Sequence, residues 1–262
     1  MKPRNVITNN MEKQRGIFHS LTSFSSGDEM LTVGLSLFSS LSNDELFLKT
    51  GELLHPGEIN TGNGYVSEIR KRSFLQGRIA GKMAVNILFP DVHVTGIQIE
   101  TGTLGAPVIK NLNYPVGISI AHDDLWNAGL CFPLSIQMGI DVETIREKNR
   151  SIISSLLSDN EKEMYTREND PLEYLHILWT SKEAAGKAIG LGFRAPVGLY
   201  EIDLVETIRQ NPQRICRCRF KELTKLTALS VKIPGGMLSI AFPAEKKLEQ
   251  PMTRLLTQLV MD

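Results

Sequence analysis

Apolar and polar positions follow two different periods along this chain, and each change of period marks an element. From Val66 to Leu88, "VSEIRKRSFLQGRIAGKMAVNIL" holds no proline and carries apolar residues at helical spacing, which predicts one long helix ended by Pro90. Strand-like segments follow: "VHVTGIQIE" (92–100), "PVGISIAH" (115–122), "WNAGLCF" (126–132) and "SIQMGIDVE" (135–143). The helical period then returns in "SDNEKEMYT" (158–166) and in a longer helix with Asp170 as N-cap, Pro171 at the first helical position and Glu173 at the third. Gly190 and Gly192 stop that helix, and four more strand-like segments follow: "GLYEIDLV", "RICRCRF", "TALSVKI" and "MLSIAF". "LHPGEINTGNGY" (54–65) reads as a loop because of its Pro, Gly and Asn breakers. Residues 1 to about 50 predict no definite element, and the amphipathic tail from Ala244 predicts a terminal helix.

The order is a helix and then strands, twice over. It predicts an α+β protein with two similar halves, each a helix with a mainly antiparallel sheet because the gaps between strands are of hairpin length. The expected division is 1–133, 134–243 and a tail at 244–262, with the halves joined near Pro133.

Charge narrows the function classes. Lys plus Arg (29) equals Asp plus Glu (29), so no global field argues for nucleic acid or an anionic membrane, and any anion site is local. No apolar run reaches the roughly 18 residues of a membrane span, and "MKPRNVITNNMEKQRG" lacks the apolar core of a signal peptide. A cytoplasmic location is the expectation. Cys131, Cys216 and Cys218 are too few for a disulfide framework and lack a CxxC spacing, so they are expected to be reduced and structural.

In "SIQMGIDVE", Ile136, Met138, Ile140 and Val142 fall on one face and Gln137, Gly139, Asp141 and Glu143 on the other. Two carboxylates on one strand face repel unless a cation lies between them, and acids are depleted in strands. A solvated outer face or a hard divalent cation would each resolve this. Gly139 on that face suggests close approach of a ligand to the backbone. In "WTSKEAAGK" (179–187), Glu183 and Lys187 share a helix face four residues apart, while Lys182 falls inside the apolar arc of Leu175, Leu178, Trp179, Ala185 and Ile189. On the long helix, Lys71, Leu75, Arg78 and Lys82 share a face, either as a solvated stripe or as an anion site.

Taken together, "GIDVE" (139–143), "WTSKEAAGK" about 35 residues later, "SIAHDD" (119–124), "GAPVI" (105–109) and "FLQGR" (74–78) resemble the signature stretches of the Sfp-type 4′-phosphopantetheinyl transferases. The resemblance covers residues 54 to 243 and leaves the first 50 and last 20 unexplained. It implies two similar α/β subdomains about a pseudo-twofold. It also implies transfer of the phosphopantetheine arm of coenzyme A to a serine of an apo acyl or peptidyl carrier protein, with release of 3′,5′-ADP. Carried onto matching positions, it implies that Asp141, Glu143 and Glu183 bind Mg2+, with Mn2+ the other candidate. Glu183 would be the base and Lys187 the cation at the phosphate under attack. Arg72, Arg78, Lys82, Pro107, Ala121, His122, Lys182 and Lys187 would contact coenzyme A.

The segment 190–221 would meet the carrier, with Arg194 facing an acidic helix, and the internal duplication suits a monomer. Two positions depart from the family: Ala121 stands where many members have serine, and Ala106 where many have a basic residue. The competing expectations are a silent coenzyme A- or carrier-binding module of the same fold and a metal-dependent phosphohydrolase.

Overall fold

The computed structural model describes residues 17–26, 29–102, 104–210 and 213–260. The first half opens with strands β1 (Ile17–Ser26) and β2 (Glu29–Ser39), then helices α1 (Asn43–Leu53), α2 (Pro56–Asn63) and α3 (Glu68–Leu88). Strands β3 (Gln98–Thr101), β4 (Pro107–Lys110), β5 (Val116–His122) and β6 (Trp126–Pro133) follow. The second half runs β7 (Gly139–Thr144), α4 (Arg150–Ser155), α5 (Asp159–Thr166), α6 (Pro171–Ala188), β8 (Ile202–Arg209), β9 (Ile215–Phe220), β10 (Leu226–Ile233) and β11 (Gly236–Pro243). Helix α7 (Lys246–Val260) closes it. The strands form antiparallel sheets in the orders β1-β2-β6-β5 and β7-β11-β10-β9-β8, with β3-β4 a separate hairpin. The α+β reading of two similar halves is borne out.

Several elements differ from the expectation, each for a local reason. Residues 17–26 and 29–39, unassigned from sequence, pair as the antiparallel strands β1 and β2, while residues 1–16 lie outside the described residues. The stretch read as a loop at 54–65 contains α2. There His55 accepts the Gly57 N–H, Pro56 opens the helix, and Glu58 completes a capping box, so the breakers act as start signals. The segment 92–100 contains a 3-10 turn, Val94–Gly96, and only its last three residues enter β3. The carboxylate strand begins at Gly139, after a turn in which Ile136 N–H donates to the Pro133 carbonyl.

The halves share a frame. In each, the long helix buries a lysine against a glutamate that sits third in a capping box and also accepts a strand N–H. Lys82 Nζ lies 3.1 Å from Glu58 Oε2, and Glu58 Oε1 accepts from Ile99 N at 2.8 Å. Lys182 Nζ lies 2.6 Å from Glu161 Oε2, and Glu161 Oε1 accepts from Ile202 N at 2.9 Å. Two residues after each lysine, a helix carbonyl meets a strand glycine. A Cβ on Gly34 would lie 2.8 Å from the Ala84 oxygen, and one on Gly139 would lie 2.1 Å from the Ala184 oxygen. Only glycine permits that approach. Gly139 therefore makes room for α6, a correction to the expectation that it admits a ligand.

Helix α6 is also drawn close to its sheet by hydroxyls. Thr180 Oγ1 and Ser239 Oγ are 2.6 Å apart, Ser181 Oγ and Ser230 Oγ 2.8 Å, and Ser230 and Ser239 2.6 Å, all buried. Helix α7 spans both sheets. Leu248, Met252, Leu255, Leu256 and Leu259 join one apolar core with residues of β2, β6, β10 and β11. Its polar edge reaches both halves: Ser20 on β1 donates to Gln258 at 2.6 Å, and Arg217 on β9 pairs with Glu249 at 2.6 Å. The three cysteines are free and buried, and burial pushes the Cys131 and Cys218 thiols up to about 12. No helix among the described residues is long and apolar enough to cross a membrane.

Candidate functional site

Strand β7 and helix α6 meet side by side at the Gly139–Ala184 approach, which aims the acids of the one at the charges of the other. Lys187 Nζ donates to Asp141 Oδ1 at 2.7 Å. The other oxygen of that carboxylate, Asp141 Oδ2, is buried and has no hydrogen-bond partner. Burial pushes the Asp141 carboxyl up, and the Lys187 ammonium pulls it back. Glu143 is pushed up to about 8 by burial first, then by Asp141, Asp123 and Glu183. Glu183 is pushed up to about 7 by burial and then by Asp141. The three carboxylates thus feel one another, and the cation between them is Lys187.

Among the described residues, no three His, Cys, Asp or Glu side chains are gathered as a ligand set. In these rotamers the expected trio is not a closed metal cage, because the lysine ammonium lies on Asp141. The donor set nevertheless suits a hard divalent cation. It consists of carboxylate oxygens alone, one of them buried and unpartnered, held in mutual repulsion that a dication would relieve.

The first half supplies the facing groups. Ser119 Oγ on β5 accepts Ile140 N–H of β7 at 3.1 Å, which docks the end of β5 beside the carboxylate strand. Three residues on, His122 is exposed, with Nδ1 3.0 Å from Ser73 Oγ of α3. Its pKa is lowered by burial of part of the ring and then by Lys187. Asp123, which sequence reasoning did not single out, locks the junction: Oδ1 accepts from Leu125 N and Trp126 N, and Oδ2 accepts Thr144 N–H at 2.6 Å and the Thr144 hydroxyl. Its signal was available, since Asp before a tight turn caps backbone N–H groups.

Arg78 on α3 is nine-tenths buried, with Nη2 3.2 Å from Thr101 Oγ1, its guanidinium 4.6 Å from the Phe74 ring centroid, and Nε buried without a partner. Desolvation lowers its pKa. Arg72 is half-buried and donates to Asn43 Oδ1 at 2.7 Å. Pro107 opens β4 opposite Thr101. The exposed Arg194, in a 3-10 turn Gly192–Arg194 after α6, points its guanidinium at the β3–β4 turn. A Cβ on Gly105 would lie 3.4 Å from Arg194 Nη2.

Two expected coenzyme A contacts fall elsewhere. Lys82 and Lys182 are sealed in the interior, 0% and 1% exposed, their ammonium groups held by Glu58 and Glu161. Lys82 also donates to the Val94 and Ile97 carbonyls. The side chain of Ala121 is buried in the main apolar core. In the first half the places of the charged set are held by neutral residues. Met83 and Ile87 follow Lys82 at the spacings of Glu183 and Lys187, and Ser36 and Phe38 follow Gly34 at those of Asp141 and Glu143. One half carries the chemistry and the other carries the frame.

An acid-lined helix–strand seam with a lysine on it, opposed by a histidine and an arginine from the first half, is the layout expected of an enzyme handling a polyanion. Residues 137–235, the second half almost entire, match the model of the 4′-phosphopantetheinyl transferase superfamily. The chain is 27% identical over 138 residues to the 4′-phosphopantetheinyl transferase gsp of Aneurinibacillus migulanus, covering 52% of this chain and 55% of that protein. It is 29% identical over 85 residues to a holo-[acyl-carrier-protein] synthase of Halalkalibacterium halodurans, covering 29% of this chain and 71% of that protein. A crystal structure of a holo-(acyl-carrier-protein) synthase from Bacillus anthracis, in complex with CoA (3′,5′-ADP), aligns with a TM-score of 0.34 at 20% identity, over 38% of this chain and 92% of that one. The match to the Aneurinibacillus protein thus spans about half of that relative's length. The resemblance read from the motifs is borne out.

Proposed function

We propose that this protein transfers the 4′-phosphopantetheine arm of coenzyme A to a serine of an apo acyl or peptidyl carrier protein, with Mg2+, releasing 3′,5′-ADP. The observation that carries the reading is the Asp141–Lys187 contact with its buried, unpartnered Asp141 Oδ2, inside the segment that matches the superfamily. Asp141, Glu143 and Glu183 would hold the ion, whose chemistry is charge neutralisation on the pyrophosphate of coenzyme A.

The chain's own residues do the rest. Lys187 neutralises charge on the phosphate under attack and on the leaving 3′,5′-ADP. Glu183, on the neighbouring turn of α6, takes the proton of the carrier serine directly or through water. His122 and Arg78 hold phosphate oxygens from the first half, with the planar Arg78 fork suited to two oxygens at once. The carrier docks along 190–221, and a cytoplasmic location and a monomer belong to this reading.

The test is the intact mass of an apo carrier after incubation with the protein, coenzyme A and Mg2+, beside Glu183→Ala and a metal-free control. A gain of one phosphopantetheine that both controls lose supports the reading. No gain with any of several carriers, while coenzyme A still binds, favours a silent binding module. Release of free phosphopantetheine without carrier favours a hydrolase.

A further inference from the structure

We propose that Arg194 binds the phosphate-monoester end of the coenzyme A nucleotide and, with Arg78, makes the protein selective for that phosphate. The proposal rests on the transferase reading and gives it a specificity determinant.

The β3–β4 turn is where the two arginines converge. Thr101 pairs with Pro107 at its base, Gly102 N–H donates to the Ala106 carbonyl at 2.8 Å, and Gly105 N–H donates to the Gly102 carbonyl at 2.9 Å. Gly105 has φ of +81°, a left-handed conformation that favours glycine, so the turn carries no side chain at that position. The turn itself, Gly102 to Ala106, contains no cation. Two cations reach it from outside. Arg78 comes from α3 beneath and is anchored on Thr101; Arg194 comes from the second half and lies against Gly105.

Neither guanidinium is fully used by the protein. Arg78 is nine-tenths buried with Nε unpartnered, an uncompensated donor in a desolvated place. The Arg194 side chain makes no hydrogen bond or ion pair among the described residues. Glu58, the carboxylate nearest in effect to Arg78, is already held by Lys82, two backbone N–H groups and the frame of the first half. Two arginine forks bracketing one uncharged turn suit a group with two negative charges and several acceptor oxygens, which a phosphate monoester offers and a ribose hydroxyl does not. An arginine placed only to meet an acidic carrier helix would have no reason to lie on the turn of the opposite half.

The test is calorimetric binding of coenzyme A and of 3′-dephospho-coenzyme A to the full chain, wild type beside Arg194→Ala and Arg194→Lys, with the carrier KM measured in parallel. Loss of a charge-assisted contact predicts that Arg194→Ala weakens coenzyme A by about tenfold or more and leaves the dephospho form within about twofold. Arg194→Lys should recover part of the loss. Equal weakening of both ligands overturns the proposal and makes Arg194 a support for the turn. Unchanged binding with a raised carrier KM overturns it in favour of carrier docking. A wild-type chain that binds neither ligand overturns the transferase reading and this proposal with it, whereas wild-type binding with an indifferent Arg194→Ala overturns only the latter.

Discussion

Lys182 Nζ lies 2.6 Å from Glu161 Oε2, and the two side chains are 1% and 0% exposed. The twin of this pair, Lys82 with Glu58, occupies the same place in the half that has no acidic seam. A device present in both halves serves what both halves share, the docking of a long helix to a capped short helix and to the first strand after it. The lysine next to Glu183 is therefore part of the frame.

Removing one member of such a pair strands a buried charge, which typically costs about 3–5 kcal/mol, whereas removing both costs much less. Lys182→Met should accordingly destabilise the fold by about that amount in urea titration. Glu161→Gln/Lys182→Met should recover part of the loss, because Gln keeps an oxygen for Ile202 N–H. Equal stability of the single and double variants would show that the charges are not what the pair contributes. Lys82→Met, where it folds, should bind coenzyme A within about threefold of wild type, since each tenfold corresponds to only about 1.4 kcal/mol.

The close approach at Gly139 sets a second expectation. A methyl there would sit 2.1 Å from the Ala184 carbonyl and 3.0 Å from Lys187 Cβ, so α6 has to move away from β7. Gly139→Ala should cost about 1–3 kcal/mol or more as overpacking. It should also lower kcat more than stability alone explains, because the same shift parts Lys187 from Asp141. A variant of normal kcat would mean that the seam tolerates displacement.

How much of this was legible follows from where each interaction partner lies. Helices α3 and α6 were readable because their caps and periodicity are local. The acids and Lys187 were readable through residue type and spacing, though only the fold shows Lys187 lying on Asp141. Strands β1 and β2 were not, because their partners are remote in sequence: β1 packs on α7, and β2 lies against α3 and pairs with β6. Ser20 meets Gln258 from the opposite end of the chain. Lys82 and Lys182 misled for a related reason. Glu58 sits in a short helix whose Pro and Gly content reads as loop, so its pair with Lys82 looked like part of a basic stripe, and Glu161 lies in a readable helix whose pattern does not name Lys182 as its partner. Arg194 and Gly105 are about ninety residues apart, and no pattern in either segment names the other.

His176 predicts a pH dependence of stability separate from the site. It is fully buried, Nδ1 lies 2.8 Å from the Leu172 carbonyl, and Nε2 accepts Arg146 N–H at 3.4 Å. That pattern holds the neutral ring, since a proton on Nε2 would face another donor. Desolvation lowers its pKa below the ordinary 6.5, with the Leu172 hydrogen bond opposing. The unfolded chain then takes up the proton first. The contribution is complete above about pH 6.5 and is lost as pH falls below it. His176→Gln should be less stable at pH 8 yet lose less on acidification to pH 5, read as melting temperature against pH. Parallel curves for the two proteins would rule the residue out as the acid-sensitive group.

Asp141 also sets an expectation for the metal. Its Oδ1 holds the Lys187 ammonium and its Oδ2 is buried without a partner, so on the proposed reading an ion would compete with the lysine for one carboxylate when no anionic substrate engages the lysine. Removing the lysine removes the competitor, and with it the cation that now offsets three repelling acids. Lys187→Met should be less stable than wild type in EDTA but should gain more from Mg2+. At a hundred times the dissociation constant a single site adds about 2.7 kcal/mol, or very roughly 5–10 °C for a chain of this size. Asp141→Asn should lose most of the response in either background. A response to Mg2+ that is unchanged in Asp141→Asn would place the ion elsewhere, and a smaller response in Lys187→Met would show that the lysine assists binding of the ion instead of competing with it.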